Sequence, residues 1–97
     1  MEVRKVREND SLTVAVDGYL DTLTAPDLES EMQGALEGIN TLIFDFEKLA
    51  YISSAGLRVI LAAKKAMSKG TMVLRHVNSD VKEIFNITGF SDVLTFE

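Results

Sequence analysis

The chain has 97 residues, a length that suits one domain rather than two, and at 46% apolar residues it can build a compact core with little left for a deep substrate pocket. It has no cysteine and a single histidine, which excludes disulfides, thiolate chemistry and a His-rich metal site. Its formal charge of -5 argues against direct nucleic-acid binding, which needs a positive field along the phosphates.

Glu2 to Arg7 sets Val3 and Val6 among charges and predicts an irregular edge strand. Glu8-Asn9-Asp10 supplies a turn. Leu12, Val14, Val16, Gly18 and Leu20 then alternate with Thr13, Ala15, Asp17 and Tyr19, the period-2 pattern of a half-buried strand, so the two segments predict a hairpin. Thr24-Ala25-Pro26-Asp27 announces a helix, with Thr24 as its cap, a proline tolerated in the first turn and an aspartate at the positive end of the dipole. Ala25, Leu28, Met32, Ala35 and Leu36 continue it as one apolar stripe to Gly38.

Thr41 to Glu47 is a near-continuous apolar run of strand length, which predicts a strand covered on both faces. After a loop from Lys48 to Ser53, a second helix is expected from about Ser54 to Ser68, with Lys64, Lys65 and Lys69 gathered at its C-terminal end and Gly70 closing it. Thr71 to Arg75 is a short strand. Asn78-Ser79-Asp80 caps a third helix that runs to Thr88, and Val93 to Phe96 is a last short strand. The order ββαβαβαβ predicts a single α/β domain over residues 1–97, a mixed β-sheet with packed helices. No stretch approaches the ~18–20 apolar residues of a membrane span, and the first residues lack a signal-peptide core. The expectation is a cytoplasmic protein with no membrane insertion.

The segment Tyr51-Ile52-Ser53-Ser54-Ala55-Gly56-Leu57 joins a buried strand to a helix, the kind of carboxyl end where open α/β sheets place their sites. Its two hydroxyls lie at a helix N-terminus, where backbone N–H groups and the dipole favour an anion. A phosphate on Ser54 would add about -1.5 to -2 charges to that surface and repel an acidic or closely packed partner. The plainer alternative is that the serines are helix caps.

Ile52-Ser53-Ser54-Ala55-Gly56-Leu57-Arg58-Val59-Ile60-Leu61 resembles the signature of the STAS domain, in its branch of bacterial anti-sigma-factor antagonists. The family's usual form is Asp-Ser-Ser/Ala-Gly-Leu-Gly/Arg, and the shared Gly56-Leu57 lays its phosphoacceptor on Ser54. Gly18-Tyr-Leu-Asp21-Thr-Leu-Thr24-Ala is similar to the family's Gly-x-Leu/Ile-Asp-x-x-Thr/Ser segment, and Phe85-x-x-Thr-Gly89-Phe90-x-x-Val-Leu to its C-terminal helix and strand. The chain departs from the pattern at Ser53, where the family usually has Asp, which makes Ser53 a second candidate acceptor.

The resemblance implies a partner switch. The unphosphorylated form binds an anti-sigma factor and releases a sigma factor. The anti-sigma partner, an ATP-dependent serine kinase, phosphorylates Ser54 and ends the interaction, and a PP2C-like phosphatase resets it. Asp21, Thr24, Ser53, Ala55, Gly56 and Arg58 are assigned to the switch surface, and no cofactor or metal is expected. Alternatives to these roles stand for three residues: a turn for Asp21, a cap for Thr24 and an ordinary surface position for Arg58. Asp45 reads as a strand-end aspartate that could orient the Ser53–Ser54 loop, and His76 as a surface loop residue. A competing function is a constitutive STAS interaction module in a signalling or lipid-transport assembly. A serine hydrolase is disfavoured, because Ile52 stands where the Gly-x-Ser-x-Gly elbow needs its first glycine. Only His76 is available as a base, so no enzyme is expected.

Overall fold

The computed structural model describes residues 1–97. Strands β1 (Glu2–Glu8) and β2 (Ser11–Leu20) form the expected hairpin, paired antiparallel from Glu2 opposite Asp17 to Glu8 opposite Ser11. The tight turn between them needs a left-handed residue, and Asn9 supplies it at φ 57, a conformation asparagine tolerates better than most side chains. All other pairings are parallel. β3 (Thr41–Asp45) lies beside β2, and β5 (Thr71–Arg75) lies beside β3. Where β3 ends, a four-residue strand β4 (Leu49–Ile52) takes its place beside the last residues of β2. The sheet order is β1-β2-β3-β5 with β4 paired to β2, so β1 forms one outer edge.

Three helices complete the α/β domain: α1 (Ala25–Met32), α2 (Ser54–Ala66) and α3 (Ser79–Ile87). Their buried residues, Leu28, Leu57, Ile60, Ala63, Val81 and Phe85 among them, form one core with Leu12, Val14, Val16, Leu42, Phe44, Met72 and Leu74 of the sheet. The intervening strand residues Thr13, Ala15, Asp17, Thr41, Ile43, Asp45, Val73 and Arg75 are only half-buried. The sheet is thus covered on one face and open on the other. No helix is long and apolar enough to cross a membrane.

Five local expectations are corrected. The Thr41–Glu47 strand is not covered on both faces; Leu42, Phe44 and Phe46 point into the core, and Ile43 only makes the run look continuous. The expected loop before α2 contains β4, and the expected last strand shrinks to a single bridge between Leu74 and Phe96, so the order is ββαββαβα. α1 stops at Met32, two residues before Gly34 at φ 73, and Ala35 and Leu36 pack on the core from turns. Thr24 makes no side-chain cap to α1. The Asn78 cap is formed: its Oδ1 accepts from Val81 N–H (2.8 Å) while its Nδ2 donates to the Leu49 carbonyl (2.8 Å), tying α3 to β4.

Candidate functional site

The site assembles where the parallel strands β2 and β4 end side by side. Tyr19 pairs with Tyr51 and Leu20 with Ile52, and the Ser53 N–H extends the ladder by donating to the Leu20 carbonyl (2.9 Å). Ser53 is still extended (φ -102, ψ 177), and the chain enters α2 at Ser54. Gly56 makes this abrupt entry possible. A Cβ at that position would stand 2.7 Å from Leu20 Cγ, 2.9 Å from Ile52 Cγ1 and 2.9 Å from the Leu20 carbonyl oxygen, so only glycine lets the first turn of α2 rest on the strand ends.

The two serines face opposite ways. Ser54 is exposed, on the first turn of a 13-residue helix. The Ser53 hydroxyl is buried, and it is the one buried side-chain polar atom without a hydrogen-bond partner. Neither acts as the expected cap: the N-cap position belongs to Ser53, and no side chain accepts a bond from the helix start. The N-terminal N–H groups of α2 therefore keep their capacity for an anion, and the dipole adds to it.

Asp21 and Thr24 form a reciprocal lock on the neighbouring β2–α1 turn. Thr24 Oγ1 accepts from the Asp21 N–H (2.9 Å) and donates to the Tyr19 carbonyl (2.8 Å). Asp21 Oδ1 accepts from the Leu23 and Thr24 N–H groups at 3.0 and 3.2 Å. Their hydrogen bonds are spent on the turn, and they reach Ser53 only through the backbone of Leu20. Ala55 is half-buried and Gly56 buried. Arg58 is exposed and forms no ion pair; with Thr22, Ala25, Pro26, Glu29, Ala55 and Val59 it lines a shallow depression between α1 and α2. The structure thus groups Ser54, Ala55, Gly56 and Arg58 on one end of α2, with the Asp21–Thr24 turn beside it.

Three residues beside this site escape a reading of the sequence. The locked turn holds Leu23 out at 86% exposure, and the exposed rings of Tyr19 and Tyr51 lie 6.3 Å apart. Tyr19 sits on the polar phase of β2, which is the only signal the sequence carries for it. The strand-end Asp45 does not orient the Ser53–Ser54 loop. Its Oδ1 accepts from the Glu47 N–H (3.0 Å) and stands 3.0 Å from His76 Nδ1. Burial pushes the Asp45 carboxyl up, but the His76 hydrogen bond, the Glu47 N–H and the charges of His76 and Arg75 outweigh it and hold its pKa below the ordinary aspartate value. His76 is exposed, as expected, and its polar partners are Asp45 and Glu47 rather than Ser54.

Residues 2–97 match the model of the STAS domain. A candidate anti-sigma factor antagonist of Bordetella bronchiseptica, BtrV, is 34% identical over 85 residues, covering 84% of this chain and 73% of the relative. The anti-sigma-B factor antagonist of Listeria monocytogenes is 32% identical over 94 residues, covering 93% of this chain and 82% of its own. Among solved structures, the anti-sigma factor antagonist SpoIIAA in its unphosphorylated form superposes with a TM-score of 0.84 at 17% identity, over 99% of this chain and 88% of that one. The same fold is seen in the phosphorylated form of the Bacillus protein, with a TM-score of 0.76 at 16% identity over 99% and 91% of the two chains. Sequence and fold agree: the chain belongs to the STAS domain family, in the branch of the anti-sigma-factor antagonists.

Proposed function

We propose that this protein is a phosphorylation-controlled anti-sigma-factor antagonist, acting in the cytoplasm by binding other proteins and not as an enzyme. Unphosphorylated, it binds an anti-sigma factor through the end of α2 and the Asp21–Thr24 turn and so releases a sigma factor. The anti-sigma partner is a serine kinase that modifies Ser54, and a PP2C-like phosphatase restores the free hydroxyl. The observation that carries the reading is the opposed orientation of the two serines: Ser54 presents its hydroxyl to solvent on the first turn of α2, while the Ser53 hydroxyl is turned inward. A kinase needs an accessible nucleophile, and the uncapped helix N-terminus accommodates the phosphate it leaves. The family's curated antagonists and the phosphorylated form of SpoIIAA support the same assignment.

The experiment is intact-mass and peptide mass spectrometry of the protein from its native cells, beside a Ser54→Ala variant. One phosphate mapped to Ser54 and missing from the variant is the expected result. A phosphate on Ser53 instead would refute the assignment. The absence of any phosphate across growth and stress conditions would favour a constitutive interaction module. That second reading rests on Ser53, which replaces the acidic residue usual in the family's phosphorylated members.

A further inference from the structure

A second cluster of functional groups lies away from Ser54, at the C-terminal ends of β3 and β5. His76 follows β5 in a left-handed conformation (φ 59) and presents its ring to two carboxylates. His76 Nδ1 is 3.0 Å from Asp45 Oδ1 and 3.7 Å from Glu47 Oε2, and one ligand atom from each of the three residues lies within 4.8 Å of the others. We propose that Asp45, Glu47 and His76 bind a divalent transition-metal ion of the zinc class, with water completing its coordination.

The spacing carries the argument. Zinc bonds nitrogen and carboxylate oxygen at ~2.0–2.2 Å, so neighbouring donors around a tetrahedral ion stand roughly 3.4 Å apart. The two distances from Nδ1 bracket that value, and the Asp45 and Glu47 oxygens lie within 4.8 Å of each other, so the carboxylates have to turn toward a common centre for an ion to bind. The backbone is already fixed. Asp45 pairs with Arg75 across β3 and β5, and the Phe46 N–H donates to the Arg75 carbonyl (2.9 Å), so the residues that flank all three donors are joined. The ion would have to order only side chains, chiefly those of the exposed Glu47 and His76.

The donor set selects the class of ion. One imidazole with two carboxylates suits zinc and its first-row neighbours, whereas calcium and magnesium prefer all-oxygen sites. His76 Nδ1 faces Asp45 Oδ1, and a bound ion would replace the hydrogen bond between them. Two carboxylates and a dication nearly balance in charge, and Arg75, which adds positive charge near Asp45, is itself paired with Glu97. The two carboxylates are half-buried and exposed respectively, which leaves the open positions to solvent.

The test is a titration of the full chain with zinc in chelator-free buffer, followed by calorimetry and by amide chemical shifts. Saturable binding of one equivalent is expected, with the shifts centred on residues 45–47 and 75–77. His76→Gly removes the ring and suits the left-handed backbone, and it should weaken binding by at least the roughly 10–100-fold that even outer-shell changes cause at metal sites. Glu47→Gln lies on an exposed side chain and carries the same test if the glycine variant folds poorly. No saturable binding, or binding that survives both substitutions unchanged, overturns the proposal. Neither result depends on the phosphorylation of Ser54.

Discussion

At the scale of single residues, the identity of the motif was legible and the direction of its side chains was not. Serine is a favoured N-cap, so Ser53 and Ser54 read equally well as caps or acceptors. Only the packed strand end decides that one hydroxyl turns in and the other out. This makes stability an informative measurement. A working serine cap costs ~1 kcal/mol when replaced by alanine. Because neither serine caps α2, Ser54→Ala should change unfolding free energy by less than about 0.5 kcal/mol, as surface substitutions usually do. Ser53→Ala should be neutral or stabilising, since it removes a buried hydroxyl that has no partner. Urea denaturation checks both, and a loss near 1 kcal/mol in either variant would mean that the cap forms in solution. Gly56 is the opposite case. The sequence motif marked it, and the 2.7 Å approach to Leu20 gives the steric reason.

At the scale of elements, periodicity finds the three α-helices and the hairpin but not the short 3-10 turn Phe90–Asp92, and it misjudges what covers them. Ile43 on the open face made β3 look fully buried, and β4 is too short, at four residues, for its pattern to register. The apolar stripe of α1 runs on through Ala35 and Leu36, so only the left-handed Gly34 reveals that the helix has ended. The β2–α1 turn differs in a more useful way. Thr24 has the sequence pattern of a helix cap, yet it fastens the turn onto Asp21 and Tyr19. Thr24→Val keeps the shape and removes the hydroxyl, leaving the Asp21 N–H and Tyr19 carbonyl short of a partner. A loss of about 1–3 kcal/mol is expected for such orphaned groups when they are buried, with the lower end apt for this partly exposed turn. Thermal unfolding measures that cost. Weaker partner binding by the same variant would further tie the lock to the presentation of Leu23; unchanged stability would show that the lock is dispensable.

At the scale of the whole molecule, the proposed switch does not involve the core. Ser54 is exposed while the residues that define the domain lie beneath the helices, so a phosphate alters the surface without displacing packed side chains. A negative group at a helix N-terminus contributes ~0.3–1 kcal/mol of stabilisation. In a domain of this size 1 kcal/mol moves the melting temperature by about 4–8 °C. The phosphorylated protein should therefore melt at the same temperature or a few degrees higher. A clear fall in calorimetry would show instead that the modification works by loosening the fold. The α/β class and the place of the motif were legible from the order of elements. The one-sided covering of the sheet was not, because it depends on where the helices pack.

The outer edge of β1 bears on supply. Its seven residues carry Glu2, Arg4, Lys5, Arg7 and Glu8, a density of charge that discourages another chain from adding a strand. Under the proposed function the protein acts by binding a partner, so its effect scales with how much of it is made. A sheet border that resists polymerisation lets the cell raise its dose by synthesis alone, without losing the excess to aggregates.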